Sequence, residues 1–419
     1  MILGIDIGTT TVCAARVSDD GAFLGAQTLP GAPLGQDHTQ DPAVLLDRVR
    51  ALTAQAGDFR AAAVTGQMHG ILCLDAQGNA ASPLYTWQNG FGNLPRGAET
   101  YAEYVSRVTG RPAASGYGLV TWLYLAENGL LPENTACVCT IGDYAAMRLA
   151  GLARPRMHAS NAASLGGFDL PALDFDREAV RRLSLDPALL PDVVPSLEPL
   201  SARVFCACGD NQASFRGSVT DPARELLINV GTGGQLSCLT PEYRTVPHCE
   251  TRPYDGGQYL LVCSSLCGGR AWAVLERFFR DTLRAFGTEL PDALVYEGMA
   301  RLLEDAAPSS LTADTRLCGT REEPSRTGSL SGLTPESFSP ASLAAAFLEG
   351  IAGEFLPAYD ALRRVRDFSA LALSGNAVRK NPALRDIFAR LYRLPLAASP
   401  PPEEAASGAA KLALDHLFD

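Results

Sequence analysis

The 419-residue chain has no uninterrupted apolar run of 18 residues or more, no cluster of lysine and arginine, and only 19% charged residues. The first absence removes a membrane-spanning helix from the expectations. The second, with a net charge of −11, leaves neither nucleic acid nor an anionic membrane surface as the expected partner. A small molecule is the better expectation. The first apolar stretch, Met1 to Ile5, is cut by Asp6 and follows no basic segment. It therefore does not read as a secretory signal, and a cytoplasmic protein is expected. Eleven cysteines are an odd number spread thinly, which suits reduced, buried thiols better than a disulfide framework. Cys137-x-Cys139, Cys206-x-Cys208 and Cys263-x3-Cys267 lie in apolar runs without nearby histidines, so they read as core thiols rather than zinc ligands.

Hydrophobic residues make up 47% of the chain, too many for disorder, and the length suggests two or three domains. The opening reads as a three-strand meander: Ile2 to Ile7, a Gly8-Thr9-Thr10 corner, Val12 to Val17, the turn Ser18 to Gly21, then Ala22 to Leu29. A Walker loop or dinucleotide fingerprint must lead into a helix that holds the phosphate at its N-terminus. Here a strand follows, which disfavours both. The arrangement returns at Leu226 to Val230, Gly231-Thr232-Gly233-Gly234, Gln235 to Leu239 and Tyr259 to Ser264. Two domains, each opening on a strand, a Gly-Thr turn and a strand, are expected, with the boundary near residue 200 after the Pro-rich stretch Pro187 to Pro199.

Helical periodicity is seen at Pro42 to Ala56, Ala98 to Thr109, Thr121 to Asn128, Asp176 to Leu183, Arg270 to Phe286 and Pro382 to Leu391. A strand is expected at Ala61 to Thr65. The long helix Ala341 to Arg366 should bend near Pro357, which lacks an N–H. Ala370 to Leu373 reads as a strand, Ser374-Gly375-Asn376 as a turn, and Glu403 to Phe418 as a helix. The alternation indicates α/β domains. By composition alone, Pro308 to Pro340 reads as a linker.

Two glycine-threonine hairpins suit a polyphosphate, because glycine lets backbone N–H groups approach oxygen and threonine adds an uncharged donor. Magnesium would need a carboxylate nearby, and Asp6 stands two residues before Gly8. The alternative, a plain hairpin turn beside a surface carboxylate, stays open on these residues alone. Asp210, at the end of the apolar run Val204 to Ala207 and the start of an expected helix, could orient and deprotonate a hydroxyl in phosphoryl transfer. It could equally be an N-cap.

Five motifs in order carry a resemblance: Gly4 to Thr10, Thr65 to Gly70, Gly209 to Gln212, Asn229 to Thr232, and Ser374-Gly375-Asn376. The chain resembles the FGGY carbohydrate kinases from end to end. Thr315 to Arg321, Gly328 to Leu333, Phe347 to Ile351, Asn161 to Ser164 and Gly375 to Pro382 are similar to the sedoheptulokinase branch. The resemblance implies two ribonuclease-H-like domains of the actin/hexokinase/Hsp70 type, residues 1–200 and 201–419, with ATP and sugar in the cleft between them. It makes residues 308 to 340 an ordered part of the second domain.

It also implies Asp210 as catalytic base and, with Asp6, as a Mg2+ ligand. Gly8, Thr9, Thr10, Gly231, Thr232 and Gly233 resemble phosphate contacts, and Gly268, Gly269, Gly375, Asn376 and Asn381 nucleotide contacts. Gln67, Met68, His69, Trp87, Gln88, Asn89 and Asn211 resemble sugar contacts, although His69 on its own reads as a packed or turn histidine. The implied reaction is ATP-dependent phosphorylation of a primary hydroxyl of a ketose, sedoheptulose first, with a xylulose, ribulose or polyol kinase or an inactive nucleotide-binding regulator as alternatives. A homodimer is left open.

The chain departs from the family's Trp-x-Asp-x-Arg substrate segment, with Asn89 and Phe91 in place of the charged pair, and has Ser374 for the first glycine of the adenosine motif. Asn89 is still expected to donate to and accept from the sugar, at weaker affinity. Restoring the pair is expected to lower the Michaelis constant.

Overall fold

The computed structural model describes residues 1–304 and 309–417; Pro308 and Phe418, the ends of two expected segments, lie outside them. Two five-stranded mixed sheets form its frame. The first consists of β1 (Ile2–Ile7), β2 (Thr11–Val17), β3 (Phe23–Pro30), β4 (Ala61–Gly66) and β5 (Cys208–Gly209) in the order β5-β4-β1-β2-β3. β1 runs antiparallel to β2 and parallel to β4, which in turn runs parallel to β5. The second sheet repeats this plan with β6 (Glu225–Val230), β7 (Gly234–Thr240), β8 (Glu250–Pro253), β9 (Tyr259–Ser265) and β10 (Ala370–Ser374) in the order β8-β9-β7-β6-β10. Like β1, β6 is antiparallel to the strand after the hairpin, and it is parallel to β10. A parallel bridge from Leu371 to Leu396 stands where β5 stands in the first sheet.

The central parallel strands are near-continuous apolar runs because helices cover both faces. Ile5, Ile7 and Val64 are inaccessible among helix residues such as Leu45, Val49 and Met147, and Leu226, Ile228 and Leu371 pack with Ile351, Phe355 and Phe388. Two helices, Asp210–Ser218 and Glu404–Asp415, pack on the first sheet. The C-terminal helix thus returns to the N-terminal strands, and contact there is close enough that a Cβ on Gly4 would lie 1.8 Å from the Ala406 carbonyl oxygen.

Several expected elements form with shifted ends. The helix expected from Ala98 begins at Tyr101, since Glu99–Thr100 pairs with Pro95–Arg96 as a short ladder and Thr100 caps the helix reciprocally with Glu103. The long helix splits into Pro340–Gly353 and Leu356–Leu362, with Pro357 in the first turn of the second piece, where a missing N–H costs nothing. This segment is, among the described residues, the one stretch long and apolar enough to cross a membrane by length and composition, and half of it is buried. Its apolar side chains Leu348, Ile351, Phe355 and Leu362 lie in the core of the second sheet. The stretch after residue 308 is ordered by a ladder of Thr312–Asp314 with Ser329–Ser331 and by Arg316 and Arg326 converging on Asp314. Eight of the eleven cysteines are buried and the remaining three are half-buried.

Candidate active site

The parallel strands of both sheets end on the same kind of loop. In the first sheet Asp6, Thr65 and Cys208 stand in one row across β1, β4 and β5, so Asp210, two residues past Cys208, emerges from the edge on which β1 ends. The position Asp210 occupies rules out the N-cap. Gly209 holds the N-cap position, with its N–H bonded to Ser160 Oγ at 2.8 Å, and Asp210 is the first residue inside the helix.

Burial is the main cause that pushes both carboxyls up, Asp6 to about 7 and Asp210 to about 6. The Asp210 and Glu403 carboxylates push Asp6 further, whereas Arg252 and the Asn211 N–H favour the ionised form of Asp210. Glu403, in a left-handed conformation at φ 59°, immediately precedes the C-terminal helix. Two half-buried acids thus stand close together, with the exposed Glu403 near Asp6. A hard divalent cation fits that donor set, since magnesium takes one or two carboxylates and completes its shell with water and phosphate oxygens. Among the described residues no group of three or more histidines, cysteines and acids is arranged to hold a metal unaided.

The residues expected at the sugar divide sharply. His69 stacks on Tyr117, ring centroids 4.5 Å apart at 12°, and its Nδ1 lies 2.8 Å from the Ser164 carbonyl oxygen. A carbonyl only accepts, so Nδ1 carries the proton and Nε2 is left as an acceptor. Burial pushes the ring down to about 4, which keeps it neutral. Trp87 is 48% exposed and donates its indole N–H to Thr9 Oγ1 at 3.0 Å, tying the sugar segment to the first hairpin. Met68 packs over Gly209 beside Asp210, and Gln88 is exposed.

Gln67 and Asn89 face inward. Gln67 donates to Gln40 Oε1, and Gln40 holds the Thr9 carbonyl. Asn89 is 1% exposed; its Nδ2 donates to the Asp37 carbonyl and its Oδ1 accepts from the Phe91 N–H. Phe91 stacks on Tyr124 at 4.2 Å and leans on Tyr85. The expectation that Asn89 donates to and accepts from a sugar is therefore corrected: both ends of its amide are engaged by the backbone, and the segment is an aromatic corner.

The second hairpin is built without acid. Asn229 occupies the place of Asp6, two residues before the glycine, and its Nδ2 donates to Ser374 Oγ at 2.7 Å across β6 and β10. Gly231, Thr232 and Gly233 form the turn, with Thr232 exposed. The next loop hooks onto it: Gly269 N–H bonds the Gly231 carbonyl and Arg270 N–H the Thr232 carbonyl. Gly268 sits at φ 41°, and a Cβ there would come within 2.4 Å of the Gly233 backbone. Gly375 and exposed Asn376 open a short helix at the end of β10, while Asn381 caps the following helix through the Leu384 N–H. Gly8 and Thr9 are half-exposed and Thr10 shares its carbonyl with the Gly31 N–H.

Residues 1–205 match the N-terminal domain of the FGGY family of carbohydrate kinases and residues 226–415 match its C-terminal domain. The chain belongs to the FGGY family. This FGGY kinase is 25% identical to human sedoheptulokinase over 476 aligned positions, which cover 99% of this chain and 98% of the relative. It is 27% identical to the xylulose kinase of Streptomyces rubiginosus over 57% of this chain and 54% of that one. The crystal structure of xylulose kinase from Rhodospirillum rubrum superposes with a TM-score of 0.82 at 19% identity, covering all of this chain and 90% of the other. The fold is accordingly the two-domain, actin- and hexokinase-like kinase fold, and the activity is ATP-dependent phosphorylation of a sugar.

Sequence reasoning missed a second ring of residues around the candidate site. Gln235 accepts from Asn211 Nδ2 at 2.8 Å, and Arg252 Nη1 donates to Asn211 Oδ1 at 3.2 Å. Tyr117 backs His69. None belongs to a short motif, and only the pairing of β8 with β9 brings Arg252 to the site.

Proposed function

We propose that this kinase is cytoplasmic and transfers the γ-phosphoryl group of ATP to the terminal primary hydroxyl of sedoheptulose, with residues 1–200 holding the sugar and residues 201–419 carrying the base and the nucleotide. The observation that carries the chemistry is Asp210: a half-buried carboxylate, free of capping duty, beside a second carboxylate and near Arg252. Its carboxylate accepts the proton of the sugar hydroxyl as that oxygen attacks the γ-phosphorus and ADP departs. His69 accepts a sugar hydroxyl at Nε2, Trp87 forms the wall beside Thr9, and Asn211 and Gln235 line the approach. The Gly8-Thr10 and Gly231-Gly233 hairpins point backbone N–H groups and hydroxyls at the phosphates. Asp6 and Asp210 would hold magnesium, which supplies charge neutralisation on the phosphate oxygens.

Sedoheptulose is favoured by relatedness along nearly the whole of both chains. Xylulose is the second reading, supported by the shorter similarity to a xylulose kinase. A regulator without catalysis would have no evident use for both Asp6 and Asp210. A coupled ADP-release screen over ketoses and polyols of three to seven carbons tests the proposal. The highest kcat/KM is expected on sedoheptulose; a higher value on xylulose moves the assignment to the second reading, and no turnover on any sugar overturns it.

A further inference from the structure

The missing charged pair at 89 and 91 poses a problem that the opposite side of the cleft answers. On the first-sheet side the residues expected at the sugar supply no cation: His69 is held uncharged, Asn89 is spent on backbone, and Phe91 is stacked. The second sheet presents arginine. Arg252 projects from β8, its side chain 19% exposed, with Nη2 donating to Glu250 Oε2 at 2.8 Å and Nη1 to Asn211 Oδ1 at 3.2 Å. Glu250 is gripped on its other oxygen by Arg321. Arg252 is close enough to act electrostatically on Asp210, and both Arg252 and Arg321 act on His69. Its bond to Asn211, the residue after Asp210, places it beside the base.

A guanidinium has five N–H donors in a rigid fork. Two of them are used by Glu250 and Asn211. Those two bonds lock the fork, so the remaining N–H groups are presented with little further loss of rotamer freedom. An Asp–Arg pair on one segment and a Glu250–Arg252 pair on the facing strand are chemically the same device.

We propose that Arg252, braced by Glu250 and Asn211, is the sugar-gripping cation of this kinase, taking hydroxyl oxygens of the polyhydroxy substrate from the second-sheet side in place of the pair absent at Asn89 and Phe91. This rests on the kinase reading of the site. Because the grip and the wall come from different sheets, affinity for sugar depends on the two sheets facing each other.

The test uses the full chain. Arg252→Met keeps length and packing but removes the donors, and Arg252→Lys keeps the charge but not the fork. For Arg252→Met the sugar KM, and the sugar Kd measured calorimetrically without ATP, are expected to rise about 10- to 100-fold while the KM for ATP stays put. Arg252→Lys should fall between, and added guanidinium ion should restore sugar affinity to Arg252→Ala; unchanged thermal melting separates this from misfolding. A wild-type enzyme that phosphorylates sugars while Arg252→Met keeps its sugar KM and Kd overturns the inference alone. A fall in kcat with unaltered sugar KM also overturns it, since Arg252 would then serve the phosphoryl group. A wild type that phosphorylates no sugar overturns the kinase reading along with it.

Discussion

The two hairpins use one backbone device with opposite electrostatics. Asp6-Ile7-Gly8-Thr9 ends β1 and Asn229-Val230-Gly231-Thr232 ends β6, each between a parallel neighbour and the antiparallel strand that follows it. At the first, Asp6 is pushed up to about 7 by burial and by neighbouring acids. At the second, the corresponding amide donates to Ser374 and carries no charge. A turn that must approach a polyanion is better neutral, because an added carboxylate repels phosphate oxygens in a low-dielectric cleft. A turn that must collect a cation and sit beside a proton acceptor is better acidic. On the proposed reading both hairpins hold phosphate, and the difference leaves the cation and the proton acceptor to the first.

The largest expected break in that contrast is Asp210→Asn, which keeps shape and removes the acceptor. Turnover should fall by about 10²–10⁴-fold while sugar and ATP still bind, measured by steady-state kinetics and calorimetry. Next is Asp6→Asn, which should depress turnover and shift its magnesium dependence to higher concentration, read by titrating magnesium at fixed ATP. Asn229→Asp makes the second hairpin resemble the first. It should weaken ATP binding by about tenfold, the scale of one like-charge contact of roughly 1.4 kcal/mol, with sugar affinity unchanged.

Smaller, and opposite to what the sequence suggested, is the effect of restoring Asn89→Asp with Phe91→Arg. Asn89 is buried with its amide donating to the Asp37 carbonyl, and Phe91 is stacked on Tyr124. The double variant should melt earlier, with a loss of about 1–3 kcal/mol from the unmade hydrogen bond and lost stacking, and gain no sugar affinity. A lower sugar KM in that variant would return the segment to the sugar site.

The same contrast has a pH signature. A carboxyl raised in the folded state favours folding most below its unfolded value and loses that contribution as pH rises through the raised value. Asp6 and Asp210 should therefore make the ligand-free protein less stable as pH climbs from about 4 to about 7. Asp6→Asn should flatten that slope in a melting series. Asp255, held low by His158 and His416 against the cost of burial, has the opposite sign and acts only at more acidic pH.

How much of this was legible in the sequence follows from what each signal encodes. A strand, Gly-Thr and a strand is a local pattern, so both hairpins and the placement of Asp6 could be read from one dimension. Asp210 was visible as a candidate, but cap and base share a sequence; the distinction lies in Gly209 holding the N-cap position. Asn89 looked like a weakened sugar contact because a side chain's direction is not written in its spacing from Trp87. Arg252 was invisible, since its position depends on β8 pairing with β9 and on the approach of two sheets. The return of the helix Glu404–Asp415 to β1 was likewise hidden, although Gly4 in an otherwise bulky strand marks where it lies.

The most direct test of the assignment is the pH dependence of single-turnover phosphoryl transfer, with sugar and Mg·ATP saturating, in wild type and Asp210→Asn. The wild-type rate is expected to fall tenfold per unit on the acid side, where the Asp210 carboxyl takes up its proton, and the variant to show a slow, pH-independent rate. A wild-type rate flat through that range, or the same acid limb in both proteins, would contradict it.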